Sequence, residues 1–447
     1  MAQWRIDSHE WKQPHNVTLF EAVMLADPYG NLVGPANPSG VAVDAFGRMR
    51  TSTPLTLFDS SHRYRDNGLW STSNTAGTTV AHSTNQGLIN LTLPTTANAE
   101  IIRETTKTCS YQPGKSLFVL NTFVPATPKA NLRQRVGYFG AENGIYFEID
   151  GTTAYLVERS YVTGELVETR VEQANWNNDT LQGSSVNVPG QGLGPCPSNI
   201  ELDLTKAQIF WMDIEWLGLG TVRCGFVIDG KLVHCHSFHH ANKIASTYIT
   251  TASLPLRYEM KNTGTTASSS TMGQVCSSVV SEGGYELRGL QQAASVPITA
   301  PVDLPTAGTY YTVLSIRLKA SPNRLDAIVI LTALSVLGIT NNAHYNWQVR
   351  ASGTSNGGTW VDAGTNSAVE YKIDGGTYDG GRILASGYTS GSNQGSTSVD
   401  ILKEALFKFQ LERNGLTGAP FELSLVAASN SGGADIYASV DWEEISR

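Results

Sequence analysis

Between about residues 46 and 290, apolar and polar residues alternate with a period of two along short runs broken by Gly, Asn, Asp and Ser. That is the pattern of half-buried β-strands joined by tight turns. Two places carry the strongest hairpin signal. In "GIYFEIDGTTAYLVE" (144–158) and "VRCGFVIDGKLVHCHSF" (222–238) an Asp-Gly pair divides two alternating runs. This predicts two-residue type I′ turns at Asp150-Gly151 and Asp229-Gly230. A third turn is predicted at Thr163-Gly164. Helical periodicity is nearly absent, and "LDLTKAQ" (202–208) suits one turn at most.

The stretch "RGLQQAASVPITAPVDLPTAG" (288–308) shifts to Ala, Pro and Gln, which predicts a linker at 291–308. Strand-like runs then resume, among them "YYTVLSIRLK", "HYNWQVRAS" and "PFELSLVAAS", and predict a second sandwich over 309–447. Within it "SVDILKEALF" (398–407) suits a short helix with Asp400 as its cap. Residues 1–45 read differently. Pro28, Pro35 and Pro38 favour turns and extended backbone, so this segment is expected to be an arm. Its Trp4, Trp11 and Phe20 are costly to leave in water and point to docking on a partner. The expected fold is all-β: two antiparallel β-sandwich domains of jelly-roll or lectin-like type, 46–290 and 309–447, after an extended N-terminal arm.

Composition narrows the function. Of 447 residues only 16% are charged and 43 are glycine, unlike a helical enzyme. The net charge of −8 lacks the basic excess of a nucleic-acid binder. "MAQWRIDSHEW" has no apolar stretch where a secretory leader would carry one. The longest apolar run, "AIVILTALSVLGI" (327–339), is too short to span a bilayer. Neither nucleic acid nor membrane insertion is therefore expected, and the product should be soluble and made in a cytoplasm. Five cysteines imply no disulfide framework.

Three constellations invite a chemical reading. "KLVHCHSFHHAN" (231–242) holds four of the nine histidines. Folding on Asp229-Gly230 sets Cys224 opposite Cys235 and Arg223 opposite His236, with His234 and His236 on one face. Those two, with His239 or His240, could supply three zinc ligands. No acidic residue or second cysteine joins that face, however, and Arg223 would repel a cation. The expectation is a strand end, with no metal and no cofactor. In "IFWMDIEWLG" (209–218), Trp211, Asp213 and Glu215 share a strand face. The spacing resembles the E-x-D-x-E pattern of laminarinase-like glycosidases, but Trp211 stands where the nucleophile should be, so the carboxylate pair of a retaining mechanism is broken. A sugar-binding face is the better expectation, with Trp211, Asp213, Glu215 and His236 as contacts. Last, "YQPGKS" (111–116) ends like a phosphate loop without its earlier glycine. No catalytic residue is expected.

Longer strings carry a resemblance. "DAFGRMRTSTPLTLFDSSHRY" (44–64), "IIRETTKTCSYQPGKSLFVLNTF" (101–123), "KAQIFWMDIEWLGLGTVRCGFVIDGKLVHCHSFHHAN" (206–242), "TTASLPLRYEMKNTG" (250–264), "VSEGGYELRG" (280–289) and "LSIRLKASPNRLDAIVI" (314–330) are similar to a family of tailed-phage virion proteins. The resemblance implies a particle component built from β-sandwiches, structural rather than enzymatic, as in decoration or tail-fibre-like proteins. It would dock on capsid or tail proteins through Trp4, Trp11 and Phe20, and particle symmetry makes a homo-oligomer, a trimer first, the expectation. A receptor-binding adhesin recognising host surface glycan is the alternative, and a glycan hydrolase follows it.

Overall fold

The computed structural model describes residues 53–183, 195–374, 376–391, 397–400 and 408–446. Trp4, Trp11, Phe20 and the rest of the predicted arm lie outside them. Among the described residues there is no α-helix, and hence none long and apolar enough to cross a membrane. The apolar run from Ala327 is instead the strand Ile328–Gly338.

The fifteen strands described before residue 290 fall into two sheets. One sheet runs, edge to edge, Lys231–Phe238, Val222–Ile228, Gln208–Ile214, Leu117–Val124, Ser270–Ser281, Leu88–Leu93 and Thr79–Ser83, with Leu55–Ser61 also paired to Ser270–Ser281. The other runs Val167–Glu172, Thr153–Ser160, Gly144–Asp150, Leu132–Phe139, Leu256–Asn262, Glu100–Thr105 and Trp70–Asn74. Alternation puts one face of each sheet inward, and aromatic rings fill the gap. Phe147 of the second sheet meets Phe123, Phe210 and Phe226 of the first at ring distances of 6.2, 5.8 and 5.1 Å.

A second pair of sheets follows. Leu290–Ser295, Ala434–Ser446, Ile328–Gly338 and Thr397–Asp400 form one, with Val302–Leu304 also paired to Ala434–Ser446. Val361–Asp362, Val369–Ile373, Tyr311–Leu318, Glu422–Ser429, His344–Ser355 and Tyr378–Ser390 form the other. Leu314, Val329, Leu331, Leu425 and Trp442 belong to their shared core. The protein is thus all-β and antiparallel, as the alternation predicts.

Details depart from expectation where the backbone does something a strand pattern cannot announce. The Asp229-Gly230 turn is as predicted: both residues have positive φ and Ile228 pairs with Lys231. At the other Asp-Gly the turn slips by one residue. Asp150 pairs with Thr153 and is no turn residue, and Gly151 carries the positive φ at the first turn position, as in a type II′ turn. The Ala/Pro/Gln stretch holds two short strands, because the long strand Ala434–Ser446 has an edge to be covered. Asp400 ends a strand; residues 401–407 of the predicted helix lie outside the described ones.

The two sandwiches share a buried seam, within one compact unit that spans 54–447. Arg413 and Glu104, each 4% exposed, pair at 3.1 Å, and Arg413 Nη1 also donates to Thr105 O at 3.1 Å. Backbone Arg413 N donates to Thr106 O, and Gln410 Nε2 to Thr108 O, both at 2.8 Å.

Candidate functional site

Two of the four predicted glycan contacts, Trp211 and Asp213, lie on the strand Gln208–Ile214, and Glu215 directly follows it. Register sets Trp211 beside Leu120 and Gly225, and Asp213 beside Phe118 and Arg223. Trp211 is only 5% exposed, its ring flanked by Phe118 at 6.1 Å and His234 at 5.9 Å. A ring so covered offers little stacking surface. Arg223 Nη2 binds both the Asp213 carboxylate and Glu215 Oε1, the latter at 3.2 Å. Burial raises the Asp213 pKa to about 6 against the opposing pull of Arg223. Glu215 is exposed. The structure therefore gathers Trp211, Asp213 and Glu215 around Arg223.

It does not bring His236 there. A bulge between Cys224 and Gly225 changes the register: Cys224 faces His236, Gly225 faces His234, and Arg223 faces Ser237. The cause is local. A Cβ on Gly225 would lie 1.9 Å from the Val233 carbonyl oxygen, so only glycine permits the approach. His236 is 7% exposed, its Nδ1 accepting from Asn177 N at 3.2 Å, and burial lowers its pKa to about 4, aided by His234 and His239.

The other histidines diverge as well. His234 Nε2 accepts from Asn178 Nδ2 at 3.2 Å, and His239 Nδ1 lies 3.3 Å from Thr221 Oγ1. His240 is held from both ends: Nδ1 is 2.6 Å from Gly220 O and Nε2 is 2.7 Å from Glu158 Oε2, while its ring stacks on Tyr248 at 3.8 Å. With acceptors at both nitrogens, the doubly protonated ring satisfies both. Burial works against that charge, but Glu158 outweighs it and the pKa is raised. Among the described residues no group of three or more His, Cys, Asp or Glu side chains could hold a metal ion.

Sequence reasoning passed over a second location. A cleft of about 650 Å³ lies between the sandwiches, lined by Tyr111, Trp216 and Thr250–Ser253 on one side and by Asn323, Arg324, Asp326, Ala327 and Ile445 on the other. Trp216 follows its strand into a tight turn, where Leu219 N and Gly220 N both donate to Trp216 O. Leu217 and Gly218 take positive φ there, and a Cβ on Gly220 would collide with the Glu215 carbonyl. Tyr111 braces the turn: its hydroxyl accepts from Leu217 N at 3.1 Å, and its ring meets Trp216 edge-on at 5.6 Å and 87°. Opposite, Asn323 Oδ1 accepts from Leu325 N at 3.0 Å and fixes the loop that carries Arg324 and Asp326. The available signals were turn chemistry, "WLGLG" and "SPNRLD", and only the fold brings them together.

No family model and no curated protein matches the chain. Solved structures to which it is similar include a conserved carbohydrate esterase of the Shiga toxin-encoding bacteriophage phi24B, at 10% identity over 52% of this chain and 100% of that one, with a TM-score of 0.30. A Bacillus licheniformis β-glucanase matches at 12% identity over 50% and 96%, TM-score 0.30. The carbohydrate recognition domain of Emp47p matches at 10% identity over 54% and 99%, TM-score 0.31.

Proposed function

We propose that the chain is a non-enzymatic structural protein of a bacteriophage particle, attached to capsid or tail by its N-terminal arm and assembled there as a homo-oligomer. The observation that carries this reading is how the reactive side chains are spent. Asp213 and Glu215 clamp Arg223, His236 and His240 are bound by backbone and carboxylate, and a tryptophan stands at the nucleophile position. Groups used in this way hold strands and loops in register rather than meet a substrate. The strings that resemble phage virion proteins fall largely on those same strands.

The test is made on particles. Gold-labelled antibody against residues 310–447 should decorate purified virions at regular positions, and a chain lacking residues 1–45 should fold yet fail to incorporate. Protein that stays wholly in the lysate, with unlabelled particles, overturns the reading. A second reading, an adhesin that holds host surface glycan, is favoured by the cleft between the sandwiches.

A further inference from the structure

The cleft continues beyond its main chamber. A second depression of about 210 Å³ is lined by Gly140–Asn143, Pro255, Gly415 and the Glu104–Arg413 pair. Thr250, Thr251, Asn323 and Asp326 line both chambers and so stand at the divide. The two chambers therefore adjoin as one groove with two compartments, whereas a single compact ligand needs one closed pocket.

Its chemistry is mixed in a specific way. Trp216, half-buried and held edge-on by Tyr111, supplies an aromatic surface in the larger chamber. At the divide, polar groups keep bonding capacity. The Asp326 side chain is 67% exposed, and its charged contact is with Arg413 at 3.9 Å. Asn323 uses Oδ1 on Leu325 N, which leaves its amide hydrogens available, and Arg324 Nη1 holds only the neighbouring Asn323 carbonyl at 3.2 Å. A carboxylate can accept from two adjacent hydroxyls, and an amide beside it can donate to a third oxygen. An aromatic face, electron-rich, attracts the C–H bonds on one face of a sugar ring. An apolar ligand would waste the polar groups, and a compact anion would meet Asp326.

We infer that the groove between the two sandwiches is an oligosaccharide-binding site, with Trp216 as the stacking surface and Asn323 and Asp326 as the hydroxyl-binding pair. The proposal rests on the adhesin reading for the source of the glycan, a host surface polysaccharide. It places recognition away from the Trp211 face.

The experiment uses the full chain on a printed array of bacterial O-antigen and capsular oligosaccharides, followed by calorimetric titration with the strongest binder. Asn323 and Asp326 are exposed, so their substitutions spare the core, which circular dichroism checks, and Asn323→Asp, which keeps the Oδ1 acceptor for Leu325 N, separates loss of the amide donors from loss of the loop bond. Asn323→Ala and Asp326→Ala should each weaken binding by about ten- to a hundredfold, the loss of one or two hydrogen bonds to a charged or amide group. Ligand should quench tryptophan emission in the wild type and not in Trp216→Phe. Binding that survives both alanine substitutions within about twofold overturns the site while leaving the adhesin reading in place. A wild-type chain that binds nothing on the array overturns both.

Discussion

His240 is buried with a carbonyl at one nitrogen and Glu158 at the other, an arrangement that favours its charged form. Because its pKa is raised in the folded protein, its contribution to stability is full below the ordinary histidine value of about 6.5 and is lost as pH climbs through the folded value. His236 acts in the opposite sense: held neutral with a pKa of about 4, it costs stability as pH falls from about 6.5 toward 4. Chemical denaturation from about pH 6 to about pH 9 should therefore show a falling midpoint in the wild type, and Glu158→Gln should flatten that fall. The same substitution should cost about 3–5 kcal/mol at pH 6, as expected when one partner of a buried pair is removed. A midpoint that falls equally in both proteins would show that His240 is not the titrating group.

At the scale of elements, the bulge opposite Gly225 decides which residues of the histidine strand look inward. Gly225→Val should destabilise by about 1–3 kcal/mol or more, since the Val233 carbonyl has nowhere to move within the ladder. A denaturation midpoint unchanged from wild type would mean that the ladder can open at this point. The bulge also marks the limit of what alternation can say. Periodicity correctly predicts the strands Gln208–Ile214, Val222–Ile228 and Lys231–Phe238 and their Asp229-Gly230 turn. It misplaces His236, because a strand pattern assumes one residue opposite one; the local signal for a bulge is the interior Gly225. The one-residue slip at Gly151 has a similar origin. Asp-Gly and Gly-Thr offer overlapping two-residue turns, and the pairing of whole strands chooses between them. The Trp211 face was legible as a set of neighbours but not as a covered one, since Phe118 comes from a strand more than ninety residues away in sequence.

For residues 54–447 as a whole, cohesion depends on a few polar contacts across the seam. Glu104 is buried, which pushes its pKa up, and Arg413 and Arg257 oppose that push. Removing Arg413 leaves a carboxylate in the seam with less compensation, so Arg413→Met should cost about 3–5 kcal/mol. Scanning calorimetry should then show one transition in the wild type and two in the variant, one for each pair of sheets. One undivided transition in the variant would show that apolar contacts alone couple the sandwiches. None of this was readable in advance: Glu104 and Arg413 lie about three hundred positions apart, and nothing in either local pattern points to the other.

The pairing of Leu55–Ser61 with Ser270–Ser281 has a consequence for how the chain is made. Leu55 meets Ser281, and Leu117 of the central strand meets the same residue, so early strands must wait for a late one. At ~5–20 residues per second on the ribosome, that wait is roughly 10–45 s for Leu55. During it, hydrogen-bonding edges and apolar faces of the nascent chain stay open to their counterparts on neighbouring chains of the same polysome. Chains made side by side on one polysome thus meet first as a hazard, and chaperone cover during synthesis answers the late closing of this sheet.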